Sequence, residues 1–273
     1  ETFTNKTLAS ATDVIGGVTM TLGSDANGDM YYRSGGVLTR LAPGGSNTYL
    51  QGSATIPAWV SVSQLTATLS APQVTVLASG TAQTYTTPAN TKYLVVEMAG
   101  GGGGGAGSGT TPGAAGAGVA SSFAGGAITL TANGGGAGSA AGGTFVAGGT
   151  ATGGDFNYTG GSGGGTDIAV QRGGGSGGQN ALFSGGGAPY TGLPATAIAG
   201  NPAIGNSGGG GGGASSGAST AGGGSGGGAG GSLRKLITSP NATFTYTVGG
   251  GGAGGTLGTS GAAGGAGAAG III

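Results

Sequence analysis

Short stretches of alternating apolar and polar residues are the first pattern along the chain. Residues 18–22 alternate as a half-buried strand does. Residues 29–33 and 37–41 flank the turn sequence Ser-Gly-Gly at 34–36, a typical hairpin arrangement. We therefore predict a β-hairpin segment over residues 1–72. A segment this small buries little apolar surface alone, which favours association of several chains.

A second set of strands is predicted between residues 73 and 99. Residues 74–78 and 92–98 are rich in β-branched and aliphatic side chains, and the second run leads directly into six consecutive glycines. No stretch of the chain shows convincing helical periodicity. The predicted fold class is mainly β and irregular, with essentially no α-helix.

Glycine separates the rest of the chain from this first part. The sequence contains 76 glycines, of which 10 lie in residues 1–99 and 66 in residues 100–273. Strand-like runs interrupt the glycines at 127–131, 242–248 and 271–273. We treat residues 100–273 as a third, glycine-rich domain.

Composition decides how a glycine-rich domain folds. Disordered segments are normally rich in charge, yet residues 100–273 carry only five charged residues. Collagen requires glycine at every third position, which runs of six glycines do not provide. The remaining solution is a packed bundle of polyglycine II helices, which make no internal hydrogen bonds and must bond to their neighbours. Its interior helices should be nearly pure glycine, and short β-strands should clamp the bundle.

Charge and reactive side chains exclude several functions. Seven basic and seven acidic residues give no net charge, and the one adjacent basic pair is Arg234-Lys235, so nucleic-acid binding is not expected. The chain has no Cys or His, so a serine nucleophile would lack its usual base. Its carboxylates are too scattered along the sequence to form the pair that glycoside hydrolysis requires. Asp25, Asn27 and Asp29 are expected in a turn rather than a calcium site. We expect no enzyme activity, no cofactor, no metal, and no membrane insertion, because no run of about 18 apolar residues occurs.

The order of strands and glycine runs resembles the glycine-rich domain common at the ends of bacteriophage tail fibres. Residues 85–105 resemble the family's strand leading into its first glycine run, and residues 149–165 resemble its internal repeat. Residues 233–255, followed by 265–273, resemble its last strand and glycine run. The family usually continues that strand with acidic and aromatic residues, whereas this chain ends at Ile273.

The resemblance covers about residues 80–273, and the front segment is similar to fibre stalk sequences at 5–8, 28–33, 41–44 and 56–59. It implies a polyglycine II sandwich on a homotrimeric fibre in the virion. Such fibres attach to other tail-fibre or baseplate proteins and present loops to outer-membrane proteins or surface glycans of the host.

Binding is expected in loops, because a glycine lattice offers mostly backbone. The first candidate is residues 188–204, which combine three prolines with apolar side chains. The others are residues 166–172 and 180–183, whereas residues 155–158 match the family's recurring pattern and are assigned a structural role. The candidate receptor-binding residues are Pro189, Tyr190, Leu193, Pro194, Ile198, Pro202, Ile204, Asp167, Arg172, Leu182 and Phe183.

Two other functions remain open at this point. The chain could be a purely structural fibre or decoration protein, in which the glycine bundle is a stiff spacer. It could also be a bacterial surface adhesin or a matrix filament subunit. The terminal position of the glycine-rich domain favours host recognition over a spacer, since a spacer should be followed by another module.

Overall fold

The structure is a computed structural model that describes residues 26–52, 56–63, 71–140, 144–166, 173–189, 196–217 and 222–273. It also gives the backbone of two short strands, β1 (Asp13–Ile15) and β2 (Val18–Met20). The chain divides into two compact units, Glu1–Gln73 and Val74–Ile273.

The first unit consists of small antiparallel hairpins. Strands β3 (Met30–Ser34) and β4 (Val37–Leu41) pair around the turn at Gly35 and Gly36, where φ is positive at both residues. This is the predicted hairpin, and it lies in a sheet of order β1-β2-β4-β3. Strands β5 (Thr48–Gln51) and β6 (Ala58–Ser61) form a separate pair. No described residue in 26–63 is buried as a whole, although the side chain of Asp29, which pairs with Arg40, is only 3 % exposed.

The second unit contains two sheets. One has the order β11-β10-β9-β14-β7 and the other β12-β13-β8-β15. Their strands are β7 (Gln83–Thr86), β8 (Leu94–Ala99), β9 (Ser121–Gly125), β10 (Ile128–Ala132), β11 (Ala151–Thr152), β12 (Phe156–Tyr158), β13 (Ser232–Ile237), β14 (Thr243–Thr247) and β15 (Ile271–Ile272).

The two sheets enclose the hydrophobic core of the second unit. We call the two sheets and this core the strand sandwich. Met98, Leu233 and Ile272 come from one sheet, and Phe123 and Phe244 come from the other. The rings of Phe123 and Phe244 stack with their centroids 4.5 Å apart. Alternation along each strand places these side chains on the inner faces.

The glycine run that follows β8 shows how the rest of the unit is built. Three successive amides of residues 100–108 donate to three different segments: Gly100 to Gly231, Gly101 to Val119, and Gly102 to Ala268. The pattern repeats three residues later, when Gly103, Gly104 and Gly105 donate to Gly228, Gly116 and Gly265. This three-residue repeat is that of a polyglycine II helix.

The carbonyls of the same segment accept from three further segments. Gly135, Gly252 and Gly211 donate to Gly101, Gly102 and Gly103 in turn. Residues 100–108 therefore have six hydrogen-bonded neighbours, as a helix inside a hexagonal array does. Residues 207–217 and 222–231 are surrounded in the same way, and these three inner helices also bond to one another.

Nine further segments close a ring around the inner three, and we call the whole array the glycine lattice. Each member of the ring is hydrogen-bonded to the next among the described residues. In order around the ring they are 112–120, 248–258, 260–270, 196–205, 184–189, 173–180, 159–166, 144–150 and 133–140.

Contact distance explains the composition of the inner helices. They contain only glycine, alanine and serine. A Cβ added at Gly210 would overlap the carbonyl oxygen of Gly227, and one added at Gly103 would overlap that of Gly136. The inner-helix residues that are not glycine have small side chains, and some of them, such as Ala106 and Ala229, are fully buried. Larger side chains are confined to the ring.

The sheets continue the lattice. Strand β8 pairs with β13 in the same antiparallel sense in which residues 100–108 bond to 222–231. Likewise β9 pairs with β14, and segment 112–120, which precedes β9, is a neighbour in the ring of segment 248–258, which follows β14. The short strands therefore set the register in which the glycine segments meet.

The fold-class prediction is confirmed for the described residues, which are β and irregular; only Val62 and Ser63 have helical backbone. One predicted strand is wrong. Of residues 74–78, only Leu77 makes a bridge, with Ile272, and Val74 and Val76 are exposed. Strand β15 is too short to pair with more of this segment.

Candidate functional site

The two ends of the glycine lattice differ in what they contain. At one end, which we call the sandwich end, the segments continue into the two sheets or turn back at 180–184 and 205–207. At the other, the far end, the described residues contain no strand longer than a single bridge. A nine-residue helix of this type is about 28 Å long, so the ends are well separated.

Tight reversals mark the far end. Thr110 and Thr259 bridge the reversals at 109–112 and 258–260, with each amide 3.1 Å from the other's carbonyl. Gly109, Thr111 and Ser260 have positive φ, the conformation such a reversal requires. Because the lattice fixes both flanks of each reversal, side chains here are held on a rigid base.

Two exposed apolar side chains near the far end were missed by the sequence analysis. Phe145 is 79 % exposed and Leu257 is 62 % exposed. Phe145 precedes Val146, which bridges Gly163, and Leu257 precedes Gly258, which donates to Ser108 at the end of an inner helix. A large apolar residue that follows Gly-Gly-Thr, as in both of these segments, is the signal that could have found them.

Six of the predicted residues are divided between the far end and residues that the structure does not describe. Pro189 is exposed at the end of segment 184–189. The other five lie outside the described residues: Tyr190, Leu193, Pro194, Asp167 and Arg172.

The sequence analysis expected Ile198, Pro202 and Ile204 in one binding loop, but the structure does not place them in a loop. They belong to ring segment 196–205, in which Ile198 donates to the hydroxyl of Ser215 and Ile204 donates to Gly185. Proline suits this geometry, because its φ is that of a polyproline-type helix. Ile198 is half-buried, whereas Pro202 and Ile204 are exposed.

Leu182 and Phe183 lie at the sandwich end, away from Pro189. Their amides donate to Oδ1 of Asn180, at 3.0 Å and 3.3 Å. Nδ2 of Asn180 donates to the carbonyl of Gly230 in an inner helix, at 2.8 Å. The turn is thus anchored to the lattice, and both side chains are half-buried. The structure does not bring the described members of the predicted set into one site.

The described charged groups of the second unit lie on or beside the sheet that contains β12, β13 and β8. Asp155 accepts from the backbone amide of Leu236 at 2.9 Å and from Lys235 at 2.6 Å, and these bonds lower the pKa of its carboxyl group. Arg234 pairs with Glu97 at 3.3 Å across the sheet. Within the described residues of the first unit, the bond from Arg40 lowers the pKa of Asp29 in the same way.

Neither a metal centre nor a membrane-spanning helix is present among the described residues. In the part of the chain that the structure describes, no cluster of acidic side chains could hold a metal ion. None of those residues forms a helix long and apolar enough to cross a membrane. No protein-family model, curated protein or solved structure matches the chain.

Proposed function

We propose that the chain is the distal part of a bacteriophage tail fibre and attaches the virion to a host outer-membrane protein or surface glycan. The observation that supports this most is the far end of the lattice. Backbone hydrogen bonds hold every flank in place, so exposed residues there, such as Phe145, Leu257 and Pro189, extend from a rigid support. The resemblance to tail-fibre domains supports the same assignment.

We further propose that the fibre is a homotrimer joined through the first unit, which also connects to other tail-fibre or baseplate proteins. The first unit has exposed apolar side chains, including Met30, Leu50 and Ile56, and none of its described apolar residues is buried. Copies packed against one another would bury these groups. Sedimentation of the purified chain as a monomer would contradict this part of the proposal.

Cell binding by the purified chain tests the adhesin function. We expect strain-selective binding across a panel of Gram-negative bacteria. Replacing Phe145 and Leu257 by serine, or Tyr190, Leu193 and Pro194 by glycine and serine, should weaken it at least tenfold. The matched control is Val119→Ser, because Val119 is 56 % exposed on the ring near the sandwich end.

Two results would argue against the proposal. Binding that survives both sets of substitutions would move recognition elsewhere on the chain. Absence of binding to every strain by a folded trimer would favour the stiff spacer.

A further inference from the structure

The outer face of the sheet β12-β13-β8-β15 has an unusual composition. When one face of an antiparallel sheet covers a core, the other is normally polar. The register places Phe156 opposite Arg234, Arg234 opposite Glu97, and Leu236 opposite Val95, all on the outer face. With the residues that continue this alternation, the face comprises Tyr93, Val95, Glu97, Phe156, Tyr158, Arg234, Leu236 and Thr238.

The apolar members of this outer face are open to solvent. Phe156 is 59 % exposed, Tyr93 55 % and Leu236 48 %, and Val95 and Tyr158 are exposed as well. An apolar patch of this kind on a protein surface normally marks an interaction site. Strand spacing puts Tyr93 and Phe156 about 16 Å apart, which suits an extended ligand.

Charges lie among the rings of the outer face. The pair between Arg234 and Glu97 stands in the middle of it, 3.3 Å between Nε and Oε1. At one end, Lys92, Tyr93, Leu236 and Thr238 line a shallow depression of about 350 Å³. The Lys92 side chain has no hydrogen bond or ion pair with any described residue.

The central ion pair distinguishes between two kinds of partner. A protein covering the face would strip water from Arg234 and Glu97, and charged residues are depleted at the centre of protein interfaces for that reason. A saccharide presents apolar C–H faces to aromatic rings and hydroxyl groups to charged side chains. It can therefore cover Tyr93 and Phe156 while its hydroxyls replace water around the ion pair.

We propose that this outer face binds a saccharide chain carrying an acidic group, phosphate or carboxylate, that pairs with Lys92. Tyr93 stacks on a sugar ring, and the Thr238 hydroxyl bonds to its hydroxyls. The face lies at the sandwich end, so this is a second binding site, separate from the far end and independent of the receptor proposed there.

Titration of the full chain with defined saccharides tests this site. The probes are a phosphorylated core oligosaccharide of lipopolysaccharide, the same oligosaccharide after dephosphorylation, an oligomer of sialic acid, and neutral dextran oligosaccharides. We expect the two acidic probes to bind at least fivefold more tightly than the neutral ones. The ratio between the two acidic probes tells which acidic group is preferred.

Three variants assign the contacts. Tyr93→Ala should weaken all saccharide binding at least tenfold, whereas Lys92→Gln should remove only the preference for acidic probes. Both side chains are exposed, so melting temperatures should be unchanged. Val119→Ala, at an exposed apolar residue on the ring that belongs to neither proposed site, should bind saccharides as the unaltered chain does.

The proposal is overturned if no probe binds at millimolar concentration, or if Tyr93→Ala binds as well as the unaltered chain. It is also overturned if Tyr93→Ala changes the oligomeric state, because a second copy then covers the face. A saccharide of the cell surface bound to the outer face would also hold the chain on cells, so the far-end variants are compared in the Tyr93→Ala background. There, loss of cell binding tests the far end alone, and the titrations test the outer face alone.

Discussion

In the strand sandwich the buried groups are side chains, whereas in the glycine lattice they are almost entirely backbone. The sandwich excludes water with Phe123, Leu130 and Phe244. The inner lattice helices bury amides and carbonyls that pair at 2.8–3.2 Å with six neighbours. The sandwich tolerates changes of side-chain shape to some extent, whereas the inner lattice has no space for a side chain larger than that of alanine or serine.

The difference teaches where stability comes from in each region. Burial of aromatic and aliphatic groups stabilises the sandwich through the hydrophobic effect. Each lattice hydrogen bond contributes about 1 kcal/mol net, and glycine loses more backbone entropy on folding than other residues. The lattice is therefore stable only when nearly every amide finds its partner. Substitutions in the two regions should therefore destabilise the fold for different reasons.

The largest effect is expected from a side chain placed inside the lattice. Gly210→Val should unfold the second unit, and even Gly210→Ala should cost about 4 kcal/mol or more, because the new Cβ overlaps the carbonyl of Gly227. Gly250→Ala is the matched control, since a Cβ there meets nothing within 4 Å. Thermal melts of both variants check this; equal melting temperatures would rule out the close packing described here.

A cavity in the sandwich should have the next largest effect. Phe123→Ala removes a ring that is 2 % exposed and stacked on Phe244, and should cost about 3–5 kcal/mol. Phe156→Ala, on the outer face, should change stability by less than about 0.5 kcal/mol. Denaturant melts measure both changes. A loss for Phe123→Ala no larger than that for Phe156→Ala would mean that the sandwich contributes little.

Much of this architecture could be predicted from sequence, but the order of the helices could not. Glycine runs between strands predict a polyglycine bundle because no other fold accepts them. The inner segments have nearly the same composition, however, so nothing in their side chains says that Gly102 bonds to Ala268 rather than to another glycine segment. The strands carry that information, since β8, β13 and β15 fix which segments meet.

The candidate site was harder to predict for the same reason. Proline at 202 suggested a loop, yet proline fits a polyglycine-type helix on the ring. Residues 74–78 suggested a strand from their β-branched side chains, but only Leu77 finds a partner. In this chain backbone partners decide the local structure, and they come from segments distant in sequence.

Removing a serine hydroxyl that bonds to the backbone in place of a backbone partner should lower stability by a smaller amount. Ser121 Oγ accepts from the amide of Gly249 at 2.9 Å and donates to the carbonyl of Ala99 at 2.7 Å. Ser121→Ala would leave that buried amide unpaired and should cost about 1–3 kcal/mol. Ser232→Ala is the control, because Ser232 is equally buried but its hydroxyl has no hydrogen-bond partner among the described residues. Chemical denaturation compares the two; a larger loss for Ser232→Ala would contradict this role of serine.

The smallest change in stability is expected when acid protonates the carboxyl group of Asp155. The amide of Leu236 and the ammonium of Lys235 lower the pKa of Asp155 in the folded chain. The carboxylate therefore stabilises the fold at pH values above its usual pKa, and this contribution is lost as pH falls through the lowered pKa. Between about pH 5 and pH 2, Asp155→Asn should lose less stability than the unaltered chain. Melting temperatures measured across that range check the sign, and identical curves would show that Asp155 is not coupled to folding.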